Sequence, residues 1–311
     1  MQVREFGEDA LIRAFAEIYR AGARVAIGIG DDGAVVTSDD PHLVMTTDIA
    51  TDGIHFNRKW SSPRDIGAKI AIANLADVFA MGATPRYLTV AMAIPGDEEV
   101  SYLLEIARGI EEISQAHGVS VVGGDVSAGA RLMIAITALG GVDSPVQRSG
   151  AKVGDALFIT AGAGKALAGL LLLSKGLSSI DATDVRVFQR PEFHPEDLQK
   201  FGFSKVNALM DVSDGLLTDL PKIARASGVN IDLDIPESKL GYLKELAERL
   251  GLSPLELFLR SGEEHSFIVS ISPEWLSEVP AQWISIGVVR SGEGVTFRGG
   301  KLPVTGDSWH W

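Results

Sequence analysis

The chain contains no cysteine. Disulfides, thiolate metal sites and thiol nucleophiles are excluded together. Positive charge is scarce: 28 lysines and arginines against 41 aspartates and glutamates leave a net charge of −13. No basic field exists to displace counterions from nucleic acid, which excludes that class of partner. A chain this acidic needs metal ions to hold a phosphate ester. Long apolar runs are missing too, since none reaches the roughly 20 residues that span a bilayer. Residues Met1 to Asp9 carry no apolar signal core. No membrane contact is expected, and the expected location is the cytoplasm. A hydrophobic content of 46% with 22% charged residues is ordinary for a soluble globular protein. At 311 residues the chain is long for one core, so two domains are expected.

What is abundant is glycine, with 34 residues, and several sit beside acids. The stretch Gly28-Ile-Gly-Asp-Asp-Gly-Ala-Val-Val36 places Asp31 and Asp32 between glycines, ahead of an apolar run. Its letters satisfy G-x-G-x-x-G, but a β-rich run follows where a dinucleotide site needs a helix N-terminus. Two carboxylates would also repel a bare phosphate. Divalent cations reverse that sign, so a loop holding Mg²⁺-phosphate is one reading and a plain β-turn the other.

Further along, Leu11, Ile12, Phe15, Ile18 and Tyr19 form a helical stripe. A strand from residue 43 ends in Thr46-Thr-Asp48, where hydroxyls and a carboxylate offer oxygen ligands to a hard cation. The helix expected over residues 66–81 is apolar or small almost throughout, apart from Lys69, Asn74 and Asp77. Such a helix is buried on most sides, and an acid in it needs a partner or a metal. Gly82 and Pro85 stop it. After a strand at 86–94 and a helix at 98–117, a strand-like run ends in Gly123-Gly-Asp125. Another strand at 131–139 closes this half, and the domain boundary is placed at 147/148. In the second half, strand 156–160, the turn Ala161-Gly-Ala-Gly-Lys165 and helix 165–174 read as a phosphate-binding turn, although not a Walker A loop. The stretch 176–204 reads as polar and irregular, with a short helical piece near 183–188. Strand 205–210 runs into Asp211-Val-Ser-Asp214, and Asp214 is placed to cap the helix at 216–227. Helices at 239–250 and 254–259 and strands at 266–271, 283–289 and 294–297 complete the chain.

Each acid alone has a bland explanation as a turn or cap residue. As a set they do not. Asp32, Asp48, Asp77, Asp125 and Asp211 lie on separate elements, and their repulsion is costly without cations. Carboxylates with no cysteine and six histidines select Mg²⁺ or Mn²⁺ over zinc. Several hard cations in one place point to a nucleoside triphosphate and to phosphoryl transfer, which needs positioning and charge neutralisation more than a nucleophile.

Taken in order, these stretches resemble the thiamine-monophosphate kinases of the aminoimidazole-ribonucleotide synthetase superfamily. The matching pieces are Gly28 to Asp32, Thr46 to Asp48, His55-Phe56, Ala73 to Pro85, Gly123 to Asp125, Arg148 to Asp155, Asp211 to Leu216 and Ser261 to Glu263. They cover nearly the whole chain. The resemblance implies an α/β (α+β) protein of two domains. An N-terminal mixed-sheet ATP/metal-binding and dimerisation domain (1–147) precedes a C-terminal α/β domain (148–311). It implies ATP-dependent, Mg²⁺-assisted in-line phosphorylation of thiamine monophosphate to thiamine diphosphate, by a homodimer. Carried over by position, Asp32, Thr46, Thr47, Asp48, Asp77, Asp125, Asp211 and Asp214 would be metal ligands. Asp77, Asp125 and Asp211 would be the catalytic acids, and Gly124, Asp125, Arg148 and Ser213 would touch ATP. His55, Glu263 and Trp309 would touch the thiamine substrate.

Two departures stand out. Ser261-Gly-Glu-Glu-His265 replaces the family's Gly-Gly-Glu-Asp-Tyr, and Asn74-Leu-Ala-Asp77 replaces Asn-Leu-Ser-Asp. The first lies on the substrate side. Three alternatives stay open: an ATP-using relative with another small substrate, a non-catalytic nucleotide- or metal-binding protein, and an acidic structural dimer whose aspartates are turns and caps.

Overall fold

The computed structural model describes residues 1–30 and 33–302. Contacts divide the chain into two units, Met1–Phe79 with Ala83–Ser144, and Ala80–Gly82 with Pro145 onward.

The first unit contains α1 (Val3–Phe6), α2 (Glu8–Ile18), β1 (Val25–Ile27), β2 (Val35–Val36), β3 (His42–Thr51), α3 (Pro63–Ala80), β4 (Thr84–Ile94), α4 (Val100–Ala116), β5 (Ser120–Ala128) and β6 (Met133–Val142). Its main sheet runs β3-β6-β4-β5. β6 is antiparallel to β3 and to β4, while β4 and β5 are parallel, so α4 serves as the crossover that a parallel pair requires. One face of the sheet is apolar by alternation: Leu88, Val90, Met92, Ile94, Ile134, Ile136 and Ala138 are all buried. α4 turns Leu103, Ile106, Ala107, Ile110 and Ile113 inward, the spacing of one helical face.

α3 is apolar on most of its sides. Ile66, Ile70, Ile72, Leu75, Val78 and Phe79 are buried around most of its circumference. Lys69, Ala73 and Asp77, four residues apart, form its one less buried line. Gly82, with φ 70°, ends the helix as expected, and Ala83 N donates to Val78 O.

β3 and β5 are the outer strands of this sheet, and both pair beyond their acids. Asp48 is level with Ile136, and Asp125 with Ala91. The expectation that strands end at Asp48 and Asp125 is thus corrected, because the ladders with β6 and β4 continue to Thr51 and Ala128.

The second unit contains β7 (Ala156–Ile159), α5 (Lys165–Ser174), α6 (Arg186–Gln189), α7 (Glu196–Phe201), β8 (Val206–Asp211), α8 (Leu216–Ser227), β9 (Asn230–Leu233), α9 (Lys244–Leu250), α10 (Pro254–Arg260), β10 (Phe267–Ile271), β11 (Ile284–Arg290) and β12 (Gly294–Phe297). The sheet order is β12-β9-β11-β7-β10-β8. Only the β12–β9 pair is parallel. Leu157, Ile159, Met210, Ile231, Ile268 and Ile286 of the sheet share a core with Leu167, Leu172, Leu220, Ile223 and Leu257 of the helices. Three elements differ from expectation. α7 lies in the stretch read as irregular. β9 lies where no strand is expected. The helix read over 239–250 is a 3₁₀ segment to Leu243 followed by α9.

Candidate active site

In the first unit the acids sort by strand alternation. Thr46 Oγ1 donates to Asp77 Oδ2 at 2.8 Å, so the even-numbered residues of β3 face α3. Asp48 shares that side. Thr47 is turned the other way, its hydroxyl 2.8 Å from Thr137 Oγ1. Asp125 is not with them. Asp48 and Asp125 sit on opposite edges of the sheet, three strand spacings or about 14 Å apart. One ion cannot bridge that distance.

Gly124, just before Asp125, has a definite steric reason. A Cβ there would stand 1.8 Å from the Val90 carbonyl oxygen of the neighbouring strand. His55 lies in the turn after β3, where Thr51 N donates to its Nδ1 at 3.1 Å. With Nδ1 committed as an acceptor, the neutral ring carries its proton on Nε2, as a donor.

In the second unit, Asp211 ends β8 as expected. It is buried, with its Oδ2 3.5 Å from His265 Nδ1. Two loops meet here. Glu263 N donates to Ser213 O at 3.0 Å, and Val212 N to Ser266 O at 2.8 Å. Glycines permit the approach: a Cβ on Gly262 would lie 2.3 Å from Ser213 O, and one on Gly215 2.7 Å from Arg260 O. Ser213, Asp214 and Glu263 are thereby held in one neighbourhood. Glu263 adopts φ 63° and His265 φ 54°, a left-handed backbone uncommon outside glycine.

Asp214 does not cap α8. The capping position is Gly215, without a side-chain bond. Lys222 Nζ instead binds Asp214 Oδ2 at 2.8 Å and Asp219 Oδ1 at 2.7 Å. Burial pushes the Asp219 carboxyl up to about 6, against the pull of Lys222. Burial opposes the Lys222 charge, but its bonds to Asp214 and Asp219 win and its pKa is raised. The i, i+3 spacing of Asp219 and Lys222 was the one signal for this pair; their reach to Asp214 left none. Arg148 is exposed, with no ion pair among the described residues, and its carbonyl accepts a hydrogen bond from Ser227 Oγ at 3.0 Å.

The glycine turn before α5 is not a free phosphate cradle. Glu264 occupies it: its Oε1 accepts from Gly164 N and Ala166 N, each at 2.8 Å. The carboxyl is 5% exposed. Burial pushes it up to about 7, against the helix amides that favour its charge. No sequence signal marked Glu264 for this role, since its partners lie about 100 residues away.

Asp32 and Trp309 lie outside the described residues. Among the described residues, no three His, Cys, Asp or Glu converge as a ready metal cage. The donors on the α3 side of β3 are nevertheless all oxygen, the chemistry that suits Mg²⁺ and not zinc.

The AIR synthase related protein N-terminal domain family matches residues 30–142, and its C-terminal domain family residues 152–296. A thiamine-monophosphate kinase of Mycobacterium tuberculosis is 33% identical over 99% of this chain and 90% of its own length. The chain belongs to the thiamine-monophosphate kinase family. A member from Aquifex aeolicus is 30% identical over 98% of this chain and 99% of its own. The solved structure of AaThiL complexed with AMPPCP and TMP superposes at a TM-score of 0.78, with 29% identity and 99% of both chains covered. The two-domain mixed α/β fold is thus the family's own, and the resemblance read from the ordered motifs is established.

Glu264 makes this member's stability depend on pH. The unfolded carboxyl ionises near 4.5 and the folded one near 7. Between those values only the unfolded chain releases the proton, so stability declines as pH rises and levels off above about 7. Asp219 acts in the same direction from 3.8 to about 6. Urea denaturation between about pH 6 and pH 7 should therefore show Glu264→Gln removing a slope of up to about 1.4 kcal/mol per pH unit. Equal slopes in wild type and variant would mean that Glu264 ionises like an exposed carboxylate.

Proposed function

We propose that the chain transfers the γ-phosphoryl group of ATP to thiamine monophosphate, yielding thiamine diphosphate and ADP, with Mg²⁺ required. The observation that carries this reading is the oxygen-only donor face of the first unit, where Thr46, Asp48 and the bonded Asp77 turn the same way. Family membership supplies the substrates: the related AaThiL structure is complexed with AMPPCP and TMP.

Mg²⁺, when bound, would neutralise the charge of the phosphates and polarise them. Asp32, Thr46, Asp48, Asp77, Asp125, Asp211 and Asp214 are assigned to hold it through their side chains, and Thr47, whose hydroxyl faces the other side of the sheet, through its backbone carbonyl. The Thr46 hydroxyl fixes the Asp77 carboxylate, so one oxygen is oriented before any ligand arrives. The separation of Asp48 from Asp125 calls for several cations. Gly124, Asp125, Arg148 and Ser213 are assigned to ATP. His55 is assigned to the acceptor phosphate, and Glu263 and Trp309 are assigned to the thiamine moiety. In the reaction an oxygen of thiamine monophosphate attacks the γ-phosphorus, the bond to the β-γ bridging oxygen breaks, and ADP leaves.

The same reading makes residues 1–147 the ATP/metal-binding and dimerisation domain and the location cytoplasmic. The dimer has a physical basis in the sheet face opposite α3. Leu43, Met45, Ile49 and Met133 stand on it at 61%, 71%, 51% and 38% exposure. An apolar row of this kind on a sheet is costly in water, and a second copy is the self-complementary partner that symmetry offers.

Steady-state kinetics test the roles. Asp77→Asn and Asp125→Asn should each abolish turnover without unfolding, and chelating Mg²⁺ should abolish it in the wild type. His55→Ala should raise KM for thiamine monophosphate more than KM for ATP. Wild-type rates in either Asn variant would overturn the metal assignment. Sedimentation should give a dimer that Met45→Asp with Ile49→Asp turns into monomer. A wild-type monomer would remove the sheet face from the account.

A further inference from the structure

The turn that carries His55 is fastened by a side chain that the functional reading leaves without a role. Arg58 lies three residues after His55. Its Nε donates to Asp52 Oδ2 at 2.6 Å, which closes the segment 52–58 on itself. Its terminal nitrogens donate to Glu98 Oε1 at 3.0 Å and Glu98 Oε2 at 2.7 Å. The guanidinium carbon stands 4.6 Å from the centre of the Tyr102 ring of α4. A planar fork bonded to two carboxylates and stacked on a ring is fixed in position and in plane.

The anchors of this fork are themselves held. Glu98 is buried. Its amide donates to Pro95 O at 3.0 Å, and its carbonyl accepts from Val3 N at 2.9 Å. Asp52 N donates to Leu132 O at 3.0 Å, at the point where β3 leaves the sheet. Arg58 therefore joins the end of β3 to the segment that leads into α4.

The path from this anchor to the imidazole is short. Asp52 adjoins Thr51, whose amide donates to His55 Nδ1 at 3.1 Å. Thr51 O accepts from Ile54 N at 3.1 Å and from His55 N at 3.0 Å, and Gly53 N donates to Phe56 O at 2.8 Å. Phe56 is the one buried side chain of the segment 52–58. The ring of His55 is thus carried by a closed turn whose two ends Arg58 brings together.

Charge acts in the same direction as geometry. Asp52 and Glu98 set two carboxylates beside a turn assigned to a phosphate, and like charges repel. Arg58 pairs with both. A lysine there would keep the charge, but as a point donor it would lose the fork that spans the two acids.

We propose that Arg58 is a positioning residue for the acceptor phosphate: by fastening the 52–58 turn to Glu98 it sets the place of His55. Arg58 acts through the turn and the backbone of Thr51. The proposal rests on the functional reading above, which assigns His55 to the phosphate of thiamine monophosphate.

The test uses the full chain as wild type, as Arg58→Lys, and as Arg58→Met combined with Glu98→Gln. The double variant leaves no unpaired charge at buried Glu98, so it keeps the test open should the lysine variant fold poorly. The first readout is amide hydrogen exchange without ligand, which needs no turnover. Exchange over residues 51–60 should quicken by about tenfold in both variants, with α3 and β4 unchanged. The second readout is the split between the two substrates. KM for thiamine monophosphate should rise by about tenfold, while KM for ATP and kcat stay within about twofold. A merely structural role would loosen the unit broadly and move both KM values alike. Unchanged exchange in the turn, an unchanged KM for thiamine monophosphate, or an equal rise in both KM values would overturn the proposal. Failure of the functional reading looks different: the wild type would form no thiamine diphosphate, while exchange in the turn still quickened in the variants.

Discussion

An acid on a helix buried around most of its circumference must be partnered, and the first unit is arranged around that requirement. α3 packs apolar residues on most sides. Its Asp77 is carried on the one less buried line and bonded by Thr46. That single bond records which side of β3 faces the helix. By alternation it sends Thr46 and Asp48 toward α3, and Met45, Thr47 and Ile49 to the opposite face. One contact therefore separates the oxygen donors from the exposed apolar row. Hard cations are the partners that the surrounding oxygens suit.

The second unit solves a different problem: how to bring two loops close enough to share a site. Gly215 and Gly262 remove the side chains that would collide with backbone oxygens. The amide of Glu263 then reaches Ser213 O. Two buried carboxyls nearby are handled in contrasting ways. Asp219 is neutralised by a lysine, whereas Glu264 spends one oxygen on a helix N-terminus and is held near neutrality by burial.

Much of this was legible in the sequence, and the reasons are physical. α3, β4, α4 and the core strands announce themselves because burial imposes a period of 3.6 or 2 over ten residues or more. The stop at Gly82 follows from the left-handed conformation that glycine tolerates. The strand limits at Asp48 and Asp125 were misplaced because a polar residue on an outer strand looks like an end when it is only an edge. Glu264 capping α5 and Lys222 bridging to Asp214 rest on contacts between distant segments, which no local pattern encodes. Substitutions within an otherwise matching motif, Glu264 and His265 here, mark where a member departs from its family. The structure places both in buried positions, where each has specific partners.

The central claim is that the donor face of the first unit serves phosphoryl transfer to thiamine monophosphate. The most direct measurement supplies ATP labelled in its γ-phosphate, together with Mg²⁺ and thiamine monophosphate, and follows the label. The account predicts the label in the terminal phosphate of thiamine diphosphate, with one ADP formed per product. Label released as inorganic phosphate, or retained in ATP while thiamine monophosphate persists, would contradict it.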